Sequence, residues 1–387
     1  MKKRLRIGLL ARVIIAIALG ILAGNYLPLA VVRVFATFNS LFSELLNFSI
    51  PLIILGLVTV AIADIGNKAG RLLLTTVAIA YTATILSGYI SYFTGEALFP
   101  SLIEHTTLGA DTAAGQGDAL PYFTVSVPPL MNVMTALVLA FVLGLGLAHL
   151  QGTTLKDVAH DFRDIITALI AKAIIPLLPI YIFGIFLGMA HSGQVYPILR
   201  VFISIILVIF GVHIFVLLLQ YTVAGVIARR NPFKALLNMM PAYFTALGTQ
   251  SSAATIPVTL AQTIKNGVSE RIAGFVVPLC ATIHLSGSTL KIVACALALM
   301  MMHGMPYDFT LFSGFIFMLG ITMVAAPGVP GGAIMASLGV LQSVLGFDES
   351  MQALMIALYI AMDSFGTACN VTGDGAIAII VDRISKK

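Results

Sequence analysis

The sequence is poor in charged residues. Only 10% of its 387 residues are Asp, Glu, Lys or Arg, whereas 59% are hydrophobic and the mean hydropathy is +1.04. Soluble domains carry about 25% charged residues, so the composition excludes a soluble globular protein and indicates an integral membrane protein. The net charge of +5 does not indicate nucleic-acid binding, because the basic residues are scattered between apolar runs and are better explained by membrane orientation.

Cysteine is also scarce. The three cysteines, Cys280, Cys295 and Cys369, all lie inside apolar segments, a placement that suits neither a disulfide framework nor a thiolate metal site. The N-terminal segment MKKRLRIGLLARVIIAIALGILAG begins like a signal peptide. Its apolar run exceeds the roughly 7–15 residues of a signal-peptide core, so the sequence favours a retained first membrane helix.

Long apolar segments predict the membrane spans, since a helix needs about 20 apolar residues to cross a bilayer. In the first part of the chain they lie near residues 7–30, 36–63, 72–98, 128–150, 164–190 and 197–228. The basic cluster in residues 2–6 predicts a cytoplasmic N-terminus. The 151–163 segment is then a cytoplasmic loop, and the 99–127 segment, which has no Lys or Arg, is an external loop.

Two later apolar segments cannot cross the membrane once. Residues 235–264 have basic residues on both sides, and residues 309–346 have acidic residues on both sides. Each segment is predicted to enter the membrane and return on the same side, with tips near Ser251–Ser252 and Gly328–Gly332. For the first segment, a position in the membrane interface is the alternative. Broken segments of opposite orientation are typical of secondary transporters. Irregular backbone at membrane depth must be covered by protein or line a cavity, so the two tips should meet at a buried polar site.

The spans predicted at 272–302 and 351–381 both carry a polar stripe. In the last span, residues spaced at i, i+4, i+7 and i+11 fall within about 40° of one another on one helix face: they are Asp363, Thr367, Asn370 and Asp374. The earlier span carries His284, Ser288 and Lys291 at i, i+4 and i+7. Membrane carboxylates cost roughly 2.5–3.5 kcal/mol each on insertion scales, so the stripes should face and neutralise one another, with Lys291 nearest to Asp374. The alternative is an ion pair that only locks two helices.

Four motifs resemble the dicarboxylate/amino acid:cation symporters, the family of the glutamate transporters. They are QSSAATIPV (250–258), PLCATIHLSGST (278–289), GVPGGAIM (328–335) and DSFGTACNVTGD (363–374). The resemblance implies an all-α membrane protein with eight transmembrane helices and two re-entrant helical hairpins, arranged as inverted repeats. It also implies an elevator-type homotrimer in the inner (plasma) membrane of a bacterium, with both termini in the cytoplasm.

The resemblance further implies a scaffold domain and a mobile transport domain. The scaffold comprises residues 1–71, with helices 1 and 2, and residues 99–196, with the external loop and helices 4 and 5. The transport domain comprises helix 3 (72–98) and residues 197–387, which hold helix 6, hairpin 1, helix 7, hairpin 2 and helix 8. This domain would carry the substrate across the membrane while the hairpin tips gate each side.

Matching positions imply roles for individual residues. Asp363 would hold the substrate's amino group, Asn370 its carboxylate, and Asp374 would ligate a sodium ion. The substrate-binding set is Ser251, Ser252, Ser288, Val329, Asp363, Gly366, Thr367 and Asn370. The cation or coupling set is Thr282, His284, Lys291, Asn370 and Asp374. Apart from sodium, the resemblance implies no cofactor, and it implies no catalytic residue.

Three positions depart from the family pattern. Members that take acidic substrates have an arginine where this chain has Gly366, which leaves no cation for a side-chain carboxylate and leaves room for a bulkier substrate. The family's Asn-Met-Asp-Gly-Thr sodium motif appears as HLSGS at 284–288, without its carboxylate. Lys291 replaces a residue that is usually tyrosine. A neutral substrate is therefore expected, and sodium coupling and proton coupling both stay open.

The sequence thus predicts a symporter of a neutral amino acid, coupled to sodium or protons. A dicarboxylate or acidic amino-acid symporter and a cation-independent exchanger are the alternatives. An intramembrane aspartyl protease is the alternative from another class. However, Asp363 and Asp374 would lie ~16 Å apart on one helix, whereas a catalytic dyad shares a proton at about 3 Å. An enzyme is therefore not expected.

Overall fold

The computed structural model of the chain describes five stretches, residues 9–66, 71–103, 119–193, 195–326 and 330–386. Within them the regular structure is helical, as predicted for an all-α protein. Six helical segments in these stretches are long and apolar enough to cross a membrane: Leu29–Asp64, Leu72–Ile103, Thr154–His191, Val201–Ala228, Glu270–Met302 and Asp363–Ser385. The chain is therefore a multi-pass membrane protein.

The N-terminal part follows the predicted order of spans. Its helices are α1 (Leu9–Gly24), α2 (Leu29–Gly66), α3 (Arg71–Ile103), α4 (Val133–His149), α5 (Thr154–Leu169), α6 (Ile175–His191) and α7 (Val195–Ala228). Helix α4 has 17 residues, fewer than the about 20 that usually span a bilayer. Helix α1 begins at the first described residue. Residues 119–132 follow the surface of α2, where Val127 N–H donates to Glu44 Oε2 at 2.7 Å.

The prediction of a loop at 151–163 is wrong in its conformation, because α5 already begins at Thr154 and continues through a π-helical turn at Ile170–Ile174 into α6. The cytoplasmic location of this segment stays a prediction. Helix α5 is amphipathic: Phe162 and Ile166 lie against Gly56 of α2, and the polar face stays outside. Such a helix buries an apolar stripe with a period of 3.6 residues. A search for continuous apolar runs does not detect it.

The C-terminal part consists of shorter helices. They are α8 (Pro232–Asn238), α9 (Met240–Thr249), α10 (Ser252–Lys265), α11 (Glu270–Ile283), α12 (Ser286–Met302), α13 (Phe309–Val324), α14 (Gly332–Leu345), α15 (Glu349–Ala361) and α16 (Asp363–Ser385). Helix α9 packs against α10, and α13 packs against α14. The first pair joins at Gln250, which has a left-handed φ of 54°, and at Ser251, whose Oγ accepts the Ala254 N–H.

The second pair joins through residues 325–331, of which 327–329 lie outside the described residues. Gly331, the residue before α14, has a φ of +76°, a conformation that glycine adopts readily and other residues rarely do. Both apolar segments are thus interrupted at the positions where the sequence predicts a turn. Below, the residues that join α9 to α10 are called the first turn, and those that join α13 to α14 the second turn.

The spans predicted at 272–302 and 351–381 are also interrupted, which the sequence analysis did not predict. Helix α11 ends before His284, whose φ and ψ of −102° and 103° are extended, and α15 and α16 are separated by Met362. At the first break α3 bonds one of the freed backbone groups, since the Leu285 N–H donates to Thr84 Oγ1 at 3.4 Å. His284 therefore does not continue the helical face of Ser288 and Lys291, and that part of the prediction is wrong.

Contacts between helices fall mainly into two groups. Helix α2 packs against α4, α5 and α6, and α1 packs against α6. Helix α16 packs against α7, α9, α10, α11 and α12, and α12 packs against α3. Apart from Phe365, every residue of α16 from Asp363 to Asp382 is buried. This helix is therefore the centre of the second group, and any polar side chain on it must find a partner inside the protein.

Candidate functional site

Helix α16 carries the four polar residues that the sequence analysis placed on one face. Their exposed fractions are 5% for Asp363, 7% for Thr367, 2% for Asn370 and 0% for Asp374. Asp363 lies at the helix N-terminus, just after the break at Met362, and Asp374 lies near the middle of the helix. The two carboxylates therefore have separate surroundings.

Both oxygens of Asp363 have a partner, one through a hydrogen bond and the other through an ion pair. Its Oδ2 accepts the N–H of Gly331, in the second turn, at 2.8 Å. Its Oδ1 lies 3.7 Å from Lys291 Nζ. The Lys291 ammonium also donates to Met362 O at 3.2 Å and lies 3.8 Å from the centroid of the Tyr359 ring. The expected pairing of Lys291 with Asp374 is therefore wrong.

The partner of Asp374 is His284. Its Nδ1 lies 2.9 Å from Asp374 Oδ1, and both side chains are fully buried. The second carboxylate oxygen, Oδ2, has no hydrogen-bond partner among the described residues. On the other side of the imidazole, Nε2 lies 3.5 Å from Nε2 of Gln220, which donates to Ser286 Oγ at 3.2 Å. This geometry suits an imidazole that donates from Nδ1 to the carboxylate and accepts at Nε2.

Asn370 and Ser288 form a third polar group, between the two carboxylates. Asn370 Oδ1 accepts the N–H of Gly287 at 2.7 Å, and its Nδ2 donates to Ser288 Oγ at 3.1 Å. Ser288 Oγ also accepts from Tyr359 OH at 2.9 Å. The amide of Asn370 thereby links the N-terminal end of α12 to α16. An amide has two N–H donors and two acceptor lone pairs, so these two bonds leave capacity for a further contact.

Both turns and α16 border one small cavity of about 20 Å³, lined by Gln250, Ser252, Ala326, Asp363, Thr367 and Asn370 among others. The two turns therefore meet beside Asp363, as the sequence predicts. This volume holds roughly one water molecule, so an amino acid could enter only if a turn moved away.

A larger cavity of about 450 Å³ lies between the two groups of helices. It is lined by α2, α5, α11 and the end of α13, with Asp64 and Arg163 at its polar side. Thr282 and Ala326 line both this cavity and the small one. Thr282 of α11 and Ala326 of the second turn therefore lie between the larger cavity and the small cavity beside Asp363.

The other predicted site residues have different surroundings. Ser251 caps α10, with its Oγ accepting the Ala254 N–H at 3.3 Å. Thr282 is exposed, and its hydroxyl donates to Leu279 O at 2.7 Å. Val329 lies outside the described residues. Ser252 lines the small cavity beside Asp363.

Gly366 has a role that the sequence analysis did not predict. A Cβ atom at this position would collide with Nζ and Cε of Lys291. The expectation that Gly366 leaves room for a larger substrate, with no cation nearby, is therefore wrong, because the Lys291 ammonium fills that room. Gln220 and Tyr359 were not among the residues predicted for the site. The signal for Gln220 was a lone amide within the strongly apolar α7.

Comparison with known proteins agrees with the resemblance. A sequence profile of the sodium:dicarboxylate symporter family matches residues 9–384. The serine/threonine transporter SstT of Acinetobacter baumannii is 28% identical over 400 residues, and that of Acinetobacter baylyi is 28% identical over 404 residues. Each of these alignments covers 99% of this chain and 98% of the relative.

Proposed function

Because this chain belongs to the sodium:dicarboxylate symporter family, we propose that it is a secondary active transporter that moves a neutral amino acid together with a cation. The observation that carries the proposal is the position of Asp363. This carboxylate is buried at the place where both turns meet, one of its oxygens is bonded to the second turn, and a small cavity lies beside it. A carboxylate there can bind an ammonium group once the turn opens.

The surroundings of Asp363 favour a substrate without net charge. Lys291 and Asp363 together have a formal charge of zero, so an amino-acid zwitterion adds none, whereas an acidic side chain would bring a charge without a counter-ion. Relatives that match over nearly their whole length are named as serine/threonine transporters. Thr367 and Asn370, which line the same cavity, offer hydroxyl and amide groups to the substrate's carboxylate or hydroxyl.

The helix arrangement supports an elevator mechanism with a fixed scaffold and a moving transport domain. We assign residues 1–71 and 99–196 to the scaffold and residues 72–98 and 197–387 to the transport domain. The pairs α9–α10 and α13–α14 would be the two re-entrant hairpins. With the N-terminus in the cytoplasm, the larger cavity opens to the cytoplasm, and the second turn is its gate. We further propose eight spans, both termini in the cytoplasm of a bacterial cell and assembly as a homotrimer.

The driving cation is proposed to act at Asp374, and sodium is the ion that the family description names. Asp374 Oδ2 is buried without a partner among the described residues, and a carboxylate oxygen suits a hard cation. Among the described residues, no three His, Cys, Asp or Glu side chains lie close enough together to hold a metal ion. Backbone and hydroxyl oxygens would therefore have to complete a sodium site. The His284–Asp374 contact favours protons as the second candidate, because histidine can carry a charge near neutral pH.

The test is uptake by purified protein in liposomes. Serine, threonine, alanine, glutamate, aspartate and succinate are offered in turn, and sodium and proton gradients are imposed separately. We expect accumulation of serine or threonine driven by one of the two gradients, and little accumulation of the acidic compounds. Accumulation of glutamate or succinate in preference would support the acidic alternative. An exchange rate that depends on neither the sodium gradient nor the proton gradient would support a cation-independent exchanger.

A further inference from the structure

The side chain of Lys291 ends in a cage of three cation-binding groups. These are the Met362 carbonyl at 3.2 Å, the Tyr359 ring at 3.8 Å and Asp363 Oδ1 at 3.7 Å from Nζ. Carbonyl oxygens, aromatic faces and carboxylates are the groups that bind free ammonium ions. Lys291 is 2% exposed, so its ammonium depends on this cage for its stability. The cage has the chemistry of an amine-binding site.

The space for the ammonium exists because residue 366 is glycine. A Cβ at Gly366 would collide with both terminal atoms of the Lys291 side chain, so the ammonium would have to shift within the cage to admit a larger residue. The sequence therefore combines a missing side chain on α16 with a long basic side chain on α12. The absence of a side chain at Gly366 leaves the space that the Lys291 ammonium occupies, as expected for a specific ammonium-binding site.

Asp363 connects the cage to the second turn. One of its oxygens faces Lys291, and the other accepts the Gly331 N–H at 2.8 Å. The left-handed conformation of Gly331, with a φ of +76°, fixes the direction of this N–H group. Asp363 therefore holds the turn against α16 while a cation lies on its other side.

We propose that the Lys291 ammonium is a built-in substitute for the substrate's amino group. This inference rests on the proposed function, in which Asp363 binds that amino group. The arriving ammonium displaces Lys291 from Asp363, and Lys291 returns when the substrate leaves. The neutral Lys291–Asp363 pair then lets Asp363 stay buried against Gly331 and α14 without substrate. The empty transport domain can thus cross the membrane, and the protein performs net uptake in addition to exchange.

The reason for this behaviour is the burial of Asp363. A carboxylate without a counter-ion is strongly disfavoured inside a membrane protein. Without Lys291, the buried contact of Asp363 with Gly331 would therefore require the ammonium of a bound substrate as counter-ion. A group that competes for the site also weakens the apparent affinity for substrate, in proportion to the time that it occupies the site. Removing Lys291 should accordingly weaken net transport and strengthen substrate binding. Removing a lysine that only locks two helices would not change these two quantities in opposite directions.

The experiment compares Lys291→Met with the wild type in liposomes. Net uptake of labelled serine is measured into empty liposomes, and counterflow into liposomes preloaded with unlabelled serine. We expect net uptake to fall at least about tenfold, while counterflow persists with a half-saturation concentration roughly tenfold lower. Lys172→Met is the matched control, because Lys172 is an exposed lysine in the π-helical turn between α5 and α6. It should change neither measurement.

Gly366→Ala is the second variant, because it displaces the ammonium from its position beside Asp363 but keeps the charge. It should likewise reduce net uptake while counterflow persists. The double variant with Lys291→Met should behave like Lys291→Met alone. It also tests the proposal if Lys291→Met does not fold. Parallel loss of uptake and counterflow, with unchanged affinity, in the folded variants would overturn the proposal and leave Lys291 as a structural partner. A wild type that transports no amino acid in either assay would instead refute the proposed function.

Discussion

His284 Nδ1 lies 2.9 Å from Asp374 Oδ1, and this contact joins the break between α11 and α12 to the middle of α16. Both residues are fully buried. Asp363 and Asp374, which lie on the same helix, therefore have different basic partners: Lys291 lies in α12, and His284 lies in the break before that helix. This separation gives each carboxylate its own task in the proposed mechanism.

Asp374→Asn should abolish accumulation of serine against a gradient. An amide cannot balance a cation beside it, whether the cation is sodium or a protonated His284, so the imposed gradient no longer drives transport. Counterflow depends on Asp363 and should persist. The measurement compares gradient-driven accumulation with counterflow in the same liposomes.

The matched control for this prediction is Asp382→Asn. Asp382 is also a buried aspartate of α16, but it accepts bonds from Ser269 and Lys386 near the end of the helix. This variant should keep both activities if it folds. Undiminished accumulation by Asp374→Asn would show that the driving cation acts elsewhere.

Asp363→Asn should weaken binding of serine at least about thirtyfold, because truncating one partner of a buried charge pair costs roughly 2–5 kcal/mol. The substitution keeps the shape of the side chain but removes the counter-charge of the substrate's ammonium. Equilibrium binding of labelled serine to the purified protein measures the effect. An unchanged dissociation constant would mean that the amino group binds at another residue.

Gly20→Leu should destabilise the fold at the contact of α1 with α6. A Cβ at Gly20 would lie 2.7 Å from the Phe183 backbone oxygen, so the two helices approach through their backbones, as small residues permit in membranes. Overpacking costs about 1–3 kcal/mol, which should lower the Tm by several degrees. Gly188→Leu is the control, because no atom lies within 4 Å of a Cβ at that position. Equal effects of the two variants would contradict the close approach.

The sequence was sufficient to predict the order of apolar segments and the turns near Ser251 and Gly331. These features depend on runs of apolar residues and on local glycine and serine chemistry, which are visible in a short window. The meeting of the turns beside Asp363 followed from the requirement that broken backbone in a membrane be covered.

The pairing of the charges was not predictable in this way. A helical stripe fixes the angle of a side chain about the axis, but it assumes that the helix continues, and α11–α12 and α15–α16 are both interrupted. Distant partners such as Thr84, whose hydroxyl accepts the Leu285 N–H, stabilise such a break, and sequence spacing does not reveal them. For the same reason, the match between Gly366 and Lys291 became visible only when the two helices were placed side by side.

Thr282→Cys should react with a membrane-impermeant thiol reagent added from the cytoplasmic side, and not from the outside. Thr282 is exposed in the cavity of about 450 Å³ that also contains Asp64 and Arg163, and we place this cavity on the cytoplasmic side. The native cysteines Cys280, Cys295 and Cys369 are buried, so the background should be low. Ala281→Cys is the control, because the neighbouring Ala281 is only 4% exposed. Labelling of Thr282→Cys from outside alone would reverse the proposed orientation of the gate.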